Sequence, residues 1–292
     1  MLKLIIFLAD GRLGNQIFQY AFLKTIQKNN EKIIVSGFED LKEVFEIDDF
    51  ININKNNRLL RVIIFRICGS ILYFLSDKKI ISSIVIKHEN VFNNYIREST
   101  TFDSIQGIVK KITFIKLGFF QSEVFFDNYL ANSLKIKKKY LITATELLNS
   151  IPNNYHKIFV HIRKNDYKNF TVCGQSTLLP MSYYKDQIEW FIQNRKDSFF
   201  IFLGDDTKGL SDEFQYVKNK MISRNQHFGT DLAIMTQCNS AILSASSFSW
   251  WGSYMMRERD TVFAPKFWLG FRSKIEYQAQ GVPSYSKEVE IF

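Results

Sequence analysis

The chain has 292 residues, 46% hydrophobic and 23% charged, which is enough apolar material for one large core or two ordinary ones and too much for a disordered or fibrous chain. The formal charge is +9, from 38 Lys and Arg against 29 Asp and Glu; it points to an anionic partner, whether nucleotide, nucleic acid or acidic membrane face, without choosing among them. Cys68, Cys173 and Cys238 are odd in number and far apart, so neither a disulfide framework nor a zinc site is supported and a reducing cytoplasm is the simplest setting.

Residues 2–8 form a continuous apolar run that reads as a first strand. The run is short and leads straight into a glycine loop, which argues against a secretory signal. A loop over 10–14 and a helix over 17–28, with Ile17, Ala21, Leu23 and Ile26 among its apolar positions, complete a strand, loop and helix. Glycines let backbone approach a ligand, and N–H groups at a helix start attract anions. Gly14, Asn15 and Gln16 are therefore candidate donor-binding residues, the two carboxamides being able to donate to phosphate or sugar oxygens. Residues 33–36 read as a second strand.

Residues 59–76 are strongly apolar, yet they contain Arg61 and Arg66 and are flanked by Lys55, Arg58, Lys78 and Lys79, which argues against a membrane span. Two readings stand: a basic amphipathic helix resting on an anionic membrane, and a core helix with two snorkelling arginines. Residues 80–110 show no usable pattern. Residues 111–117 read as a strand, followed by the aromatic cluster Phe119, Phe120, Gln121, Ser122 and Glu123 and a helix over 126–134. The lysines of 135–139 read as a solvated turn, since nothing nearby would stack on a base. A polar hinge over 145–154 closes the first half, so the expected domains are 1–152 and 153–292.

From residue 157 the rhythm becomes regular: strands at 159–162, 198–203, 240–244 and 261–264, helices at 182–195, 231–238 and from 249. Such alternation means a parallel sheet with right-handed crossovers. Where the first of these strands ends, His161, Arg163, Lys164 and Asp166 arrive together. The carboxyl ends of parallel strands face the ligand crevice, so this cluster suits anion handling; Arg163 can grip two oxygens at once and Lys164 offers a mobile point charge. A strand-end salt bridge between Arg163 and Asp166 is the plain alternative. Ser246, Ser247, Phe248 and Ser249 follow a strand and open a helix, which makes a phosphate seat, although capping alone would need only one of the serines. The chain has no D-x-D and only four histidines, so no metal is expected despite Asp205 and Asp206 at a strand end.

Four segments together carry a resemblance. His161-Ile162-Arg163-Lys164-Asn165-Asp166-Tyr167 resembles the H-x-R-R-x-D-Y motif of the α-1,2-fucosyltransferases of glycosyltransferase family 11. Residues 11–21, GRLGNQIFQYA, are similar to that family's G-G-L-G-N-Q-x-F-Q-Y-A; Gly118-Phe119-Phe120-Gln121-Ser122-Glu123 resembles its G-Y-W-Q-S-E; residues 246–252, SSFSWWG, match its S-S-F-S-W-W-G. The resemblance spans nearly the whole chain and implies an α/β, GT-B-like fold, two Rossmann-like domains facing a central cleft. It implies a metal-independent, inverting transferase that moves L-fucose from GDP-fucose to the 2-hydroxyl of a galactoside in surface polysaccharide or O-antigen synthesis, with the acceptor open to being lipid-linked and no nucleic-acid partner. GDP-colitose as donor, or nucleotide or nucleic-acid binding without catalysis, are the rivals. Asp231 matches the family's acidic position and is the first candidate to read guanine, Asp205 the second. His161, Asp166 and Glu123 all remain open as the base, His161 equally as a sugar-holding residue, with Arg163 essential to the leaving diphosphate. Gln121, Glu123 and Phe119 or Phe120 are expected on the acceptor side. The departures are Lys164 where the family has a second Arg, Asn165 where it has Gly, and Asp10-Gly11-Arg12 in place of the double glycine. An enzyme of this kind is expected in the cytoplasm, at or near the inner membrane face.

Overall fold

The computed structural model describes residues 2–54, 57–92, 95–224 and 226–291. The chain divides into two compact units, Met1–Lys135 and Ile136–Phe292. The division falls earlier than the sequence suggests because the stretch read as turn and hinge is largely a helix, whose inward residues Tyr140, Ala144 and Leu148 recur at the helical spacing of four.

In the first unit the elements run β1 (Lys3–Leu8), α1 (Leu13–Ile26), β2 (Glu31–Ser36), α2 (Glu39–Val44), β3 (Ile51–Asn52), α3 (Arg58–Asp77), β4 (Ile81–Phe92), β5 (Tyr95–Ile105), β6 (Val109–Ile115) and α4 (Asn128–Ser133). The sheet order is β3-β2-β1-β6-β4-β5. β1 pairs in parallel with β2 on one side and with β6 on the other, so the strand order reverses between β1 and β6. The segment without a readable pattern is the antiparallel hairpin of β4 and β5, whose pairing slips between Ile86 and His88 and again between Asn90 and Phe92; each slip breaks the period of two that identifies a strand.

Helix α3 is capped by Asn57, whose Oδ1 accepts from Leu59 N at 2.9 Å and Leu60 N at 3.1 Å. One stripe of it, with Ile64, Leu72, Tyr73 and Leu75, packs on Leu8, Ile81 and Phe114 of the sheet. Its other side does not enter a core: Leu59 is 78% exposed, Ile67 60% and Phe74 58%. The core-helix reading is thereby corrected. Arg61 faces inward to an ion pair with Glu39 at 3.3 Å.

The second unit comprises α5 (Lys138–Leu148), β7 (His156–Ile162), β8 (Thr171–Val172), β9 (Gln175–Ser176), α6 (Met181–Asn194), β10 (Ser198–Gly204), α7 (Leu210–Glu213), β11 (Lys220–Ile222), α8 (Phe228–Met235), β12 (Ser240–Ile242), α9 (Ser247–Tyr254), β13 (Val262–Pro265) and β14 (Lys287–Val289). The large sheet runs β11-β10-β7-β12-β13-β14, parallel throughout. Counted from β7 and leaving aside the small β8–β9 hairpin, this is the doubly wound order 3-2-1-4-5-6, whose ligand crevice lies where the order reverses, between β7 and β12. Helix α5 belongs here through Tyr140, whose ring stacks on His227, the N-cap of α8, at 4.8 Å.

Candidate active site

In the second unit the strand-end cluster sits at the reversal. His161, the penultimate residue of β7, is 2% exposed, and its Nδ1 lies 2.6 Å from Ser244 Oγ just beyond β12, a hydrogen bond across the switch point. Burial first, and the Arg163 charge second, drive the ring down to about 3, so the imidazole is neutral. Tyr167 donates its hydroxyl to Ala245 O at 2.7 Å, tying the loop after β7 to the loop after β12; burial raises that phenol's pKa.

Arg163 is ion-paired with Asp166, and its Nε lies 3.3 Å from Asp205 Oδ2. The strand-end salt bridge foreseen as the plain alternative is therefore present. Asp205 does more than balance charge. Its two oxygens accept Lys164 N at 2.8 Å and Asn165 N at 3.0 Å, and Asn165 Nδ2 donates to its carbonyl at 3.1 Å. Gly204 makes this possible, because a Cβ there would overlap Ile162 O. Both oxygens of Asp205 are thus engaged in shaping the loop after β7.

Ser246 is the N-cap of α9, its Oγ accepting from Phe248 N at 3.4 Å. Ser249 does not face a crevice: its hydroxyl is fully buried and donates to the Ser244 and Ser246 carbonyls, both at 3.1 Å. Of the serine segment, Ser246, Ser247 and Phe248 remain at the helix mouth, and the Phe248 ring lies 5.8 Å from that of His161. Asp231, in the first turn of α8, accepts a hydrogen bond from Ser223 Oγ at 2.6 Å. Burial pushes its carboxyl up to about 6 against that bond. Ser223 follows β11, which lies two strands, roughly 10 Å, from β7 across the sheet.

In the first unit the reversal between β1 and β6 brings together the loops that follow them. Gly11 has φ +85° and receives the Asp10 carboxylate on its N–H at 2.7 Å. Gly14 is buried in the first turn of α1. Asn15 Oδ1 accepts from Gln121 Nε2 at 2.7 Å, joining the two motifs across the switch point. Gln16 is 1% exposed, with Nε2 on Gly11 O at 3.1 Å and Oε1 on Leu41 N at 2.9 Å. Both ends of its amide are engaged within the unit, so it braces the loop. Phe120 is likewise corrected: it is fully buried and stacks on Phe22 at 3.9 Å, which leaves no face for a sugar. Glu123 opens a short 3-10 turn and is half-buried.

Sequence reasoning missed Glu98. From β5 its carboxylate accepts Phe119 N at 2.9 Å and Phe120 N at 3.2 Å, holding the turn that presents Gln121 while burial raises its pKa. No motif marks it. Ser244 and Tyr167 were within reach, one at the end of a predicted strand, the other closing the His161–Tyr167 motif. Among the described residues no group of three His, Cys, Asp or Glu side chains converges to hold a metal ion.

The profile of Glycosyl transferase family 11 matches residues 7–280. The chain is similar to the O-antigen biosynthesis glycosyltransferase WbnK of Escherichia coli, with 24% identity covering 91% of this chain and 95% of that one. It is also similar to an alpha-1,2-colitosyltransferase of Escherichia coli, at 25% over 89% and 90%, and to galactoside alpha-(1,2)-fucosyltransferase 1 of Mus musculus, at 23% over 89% and 65%. Among solved structures it resembles POFUT1 in complex with GDP, with 11% identity, a TM-score of 0.55, and 90% and 98% of the two chains covered; at that identity the likeness is one of fold, GT-B-like with two Rossmann-like units. With four motifs in the family's order, gathered at two strand-order reversals, and a profile match over nearly its full length, the chain belongs to glycosyltransferase family 11.

Proposed function

We propose that the protein transfers L-fucose from GDP-fucose to the 2-hydroxyl of a galactoside, with inversion, during assembly of a surface polysaccharide or O-antigen. The observation that carries this reading is the strand-order reversal between β7 and β12, where Arg163 follows β7 and the serine-capped α9 follows β12 in a sheet of dinucleotide-fold order. Arg163 exchanges its Asp166 partner for the diphosphate, whose growing charge it stabilises with the N–H groups that open α9, Lys164 adding a point charge. Asp231 accepts the guanine N1–H and amino group. The acceptor oxygen attacks C1 as the bond from C1 to the diphosphate oxygen breaks, GDP taking the electron pair. His161 at about 3 is too weak a base to take the hydroxyl proton; Asp166, released by Arg163, receives it, and His161 serves to wall the sugar site. Asn15, Gln121 and Glu123 offer polar contacts to the acceptor.

The reaction on this reading needs no metal. Its setting is the cytoplasm beside the inner membrane face, where a lipid-linked acceptor would lie; three free cysteines support a reducing compartment. The colitosyltransferase relative favours a second reading in which GDP-colitose is the donor. The test is thermal stability with GDP, UDP, dTDP and CMP, each with and without EDTA, followed by a GDP-fucose and GDP-colitose panel. Ligand at about 100 times its Kd adds roughly 2.7 kcal/mol. Stabilisation by GDP alone, indifferent to EDTA, and loss of transfer in a folded Arg163→Ala are expected. Stabilisation by another nucleotide, or unchanged turnover in Arg163→Ala, overturns the reading.

A further inference from the structure

Helix α3 carries eight exposed large hydrophobic side chains. Leu59, Ile63, Ile67, Ile71 and Phe74 recur at three or four residues along its outer side, between 53% and 78% exposed, over a helix about 30 Å long. Length and composition alone would let this helix cross a bilayer. Its packing forbids that. The inner stripe is bound to the sheet through Ile64, Leu72 and Leu75, Gly69 lies against Leu8 so closely that a Cβ would come within 3.3 Å of its Cδ1, and Arg61 is tied to Glu39 and, at 3.8 Å, to Asp10. A helix held along its length by a soluble sheet offers one face only.

The charges around that face are mostly positive. Arg66, Lys78 and Lys79 are exposed on or beside the helix, whose sole acid, Asp77, is held by Lys116 at 2.6 Å. Beyond its C-terminus Lys79 O accepts from Ile108 N at 2.9 Å, which places Ile108, 82% exposed, at the end of the same surface. Lys110, exposed two residues further on, continues the same edge at the start of β6. Apolar side chains rimmed by cations match a bilayer with anionic headgroups. A second copy fits worse, because a two-fold contact through this face would set the same cations against one another.

We infer that α3 and the Ile108–Lys110 edge form an in-plane platform that docks the first unit on an anionic membrane. Leu59, Ile63, Ile67, Ile71, Phe74 and Ile108 enter the headgroup boundary, and Arg66, Lys78 and Lys110 meet lipid phosphates. Arg61 takes no part. The inference stands apart from the donor assignment, since it concerns neither nucleotide nor acceptor.

The test is flotation of the full chain with phosphatidylcholine vesicles, with and without a quarter of phosphatidylglycerol, at low and high salt. Two variants accompany it, one combining Ile63→Glu, Ile67→Glu and Phe74→Glu, the other Arg66→Glu, Lys78→Glu and Lys110→Glu; circular-dichroism melting checks that each is folded. Co-flotation with the anionic vesicles is expected, weakened by salt and at least about tenfold weaker in either variant, since each surface cation contributes about fivefold. Should the apolar variant fail to fold, the charge variant, altered only at exposed positions, decides. Absence of flotation, equal binding to neutral vesicles, or undiminished binding in a folded variant overturns the inference. So does sedimentation as a dimer that the apolar variant dissociates.

Discussion

Replacing Asp231 with Asn should make the protein more stable and less able to bind GDP. The folded state holds the Asp231 carboxyl at about 6 against 3.8 in an ordinary setting. A carboxyl raised on folding contributes its stability while protonated, below 3.8, and that stability is lost as pH rises through about 6. At neutral pH the charged form is buried at a cost whose ceiling is about 3 kcal/mol, from about 2 pKa units at 1.36 kcal/mol each. Asn keeps an oxygen for Ser223 and carries no charge, so Asp231→Asn should gain about 1–3 kcal/mol, or a melting temperature higher by about 5 °C, and flatten the stability profile between pH 4 and 6. The same change should cost GDP affinity roughly tenfold or more, because an amide can accept only one of two guanine donors while its own NH2 opposes the other. In the wild type GDP affinity should fall about tenfold per pH unit below 6, as the carboxyl must first lose its proton. Melting curves across pH, with and without GDP and UDP, read all of this. An Asn variant no more stable at neutral pH, or one that still prefers GDP over UDP as the wild type does, would refute the reasoning.

Three other outcomes follow from named contacts. His161 should show no ring titration by NMR at pH 5–8, because burial excludes the proton that an unfolded histidine takes up at 6.5; stability should accordingly fall as pH drops from 6.5 toward about 3, and a ring titrating at 6.5 would contradict the neutral assignment. Phe120→Ala should cost about 3–5 kcal/mol in chemical denaturation; a raised KM for acceptor with stability intact would return Phe120 to the acceptor site. Gly11→Ala meets both φ +85° and overlap with the Asn15 side chain, so it should break the Asn15–Gln121 bond and raise acceptor KM roughly tenfold, with about 1–2 kcal/mol lost; an unchanged KM would remove Asn15 and Gln121 from acceptor binding.

The second unit was more legible than the first for a topological reason. Its strands are buried on both faces and alternate with helices, so 159–162, 198–203 and 240–244 stand out as apolar runs, and the ligand groups arrive where the runs stop. The β4–β5 hairpin hides because two bulges break its alternation, and Glu98 hides with it. Helix α5 hides because a run of lysines, 135 and 137–139, leads into it like a turn and threonines at 143 and 145 interrupt its apolar positions. Motif residues were easier to find than to assign. Gln16, Phe120, Asp205 and Ser249 all lie in recognisable segments, yet each is committed to its own loop or core. A motif records which residues a loop needs to take its shape as well as any that meet a ligand.

The groups left for a ligand share one property: each has a partner it can give up. Arg163 is held by Asp166 at the exposed end of its loop, and Asp231 by a single serine hydroxyl. Orphaned charges would make the empty crevice costly, whereas exchangeable partners keep it stable and leave binding to the difference between two satisfied states. An anion alone can replace Asp166 but gives Asp231 nothing. On the proposed reading, a ligand with a diphosphate at one end and two convergent N–H groups at the other satisfies both at once, so selectivity for a guanine nucleotide would follow from what the two groups release as much as from what they gain.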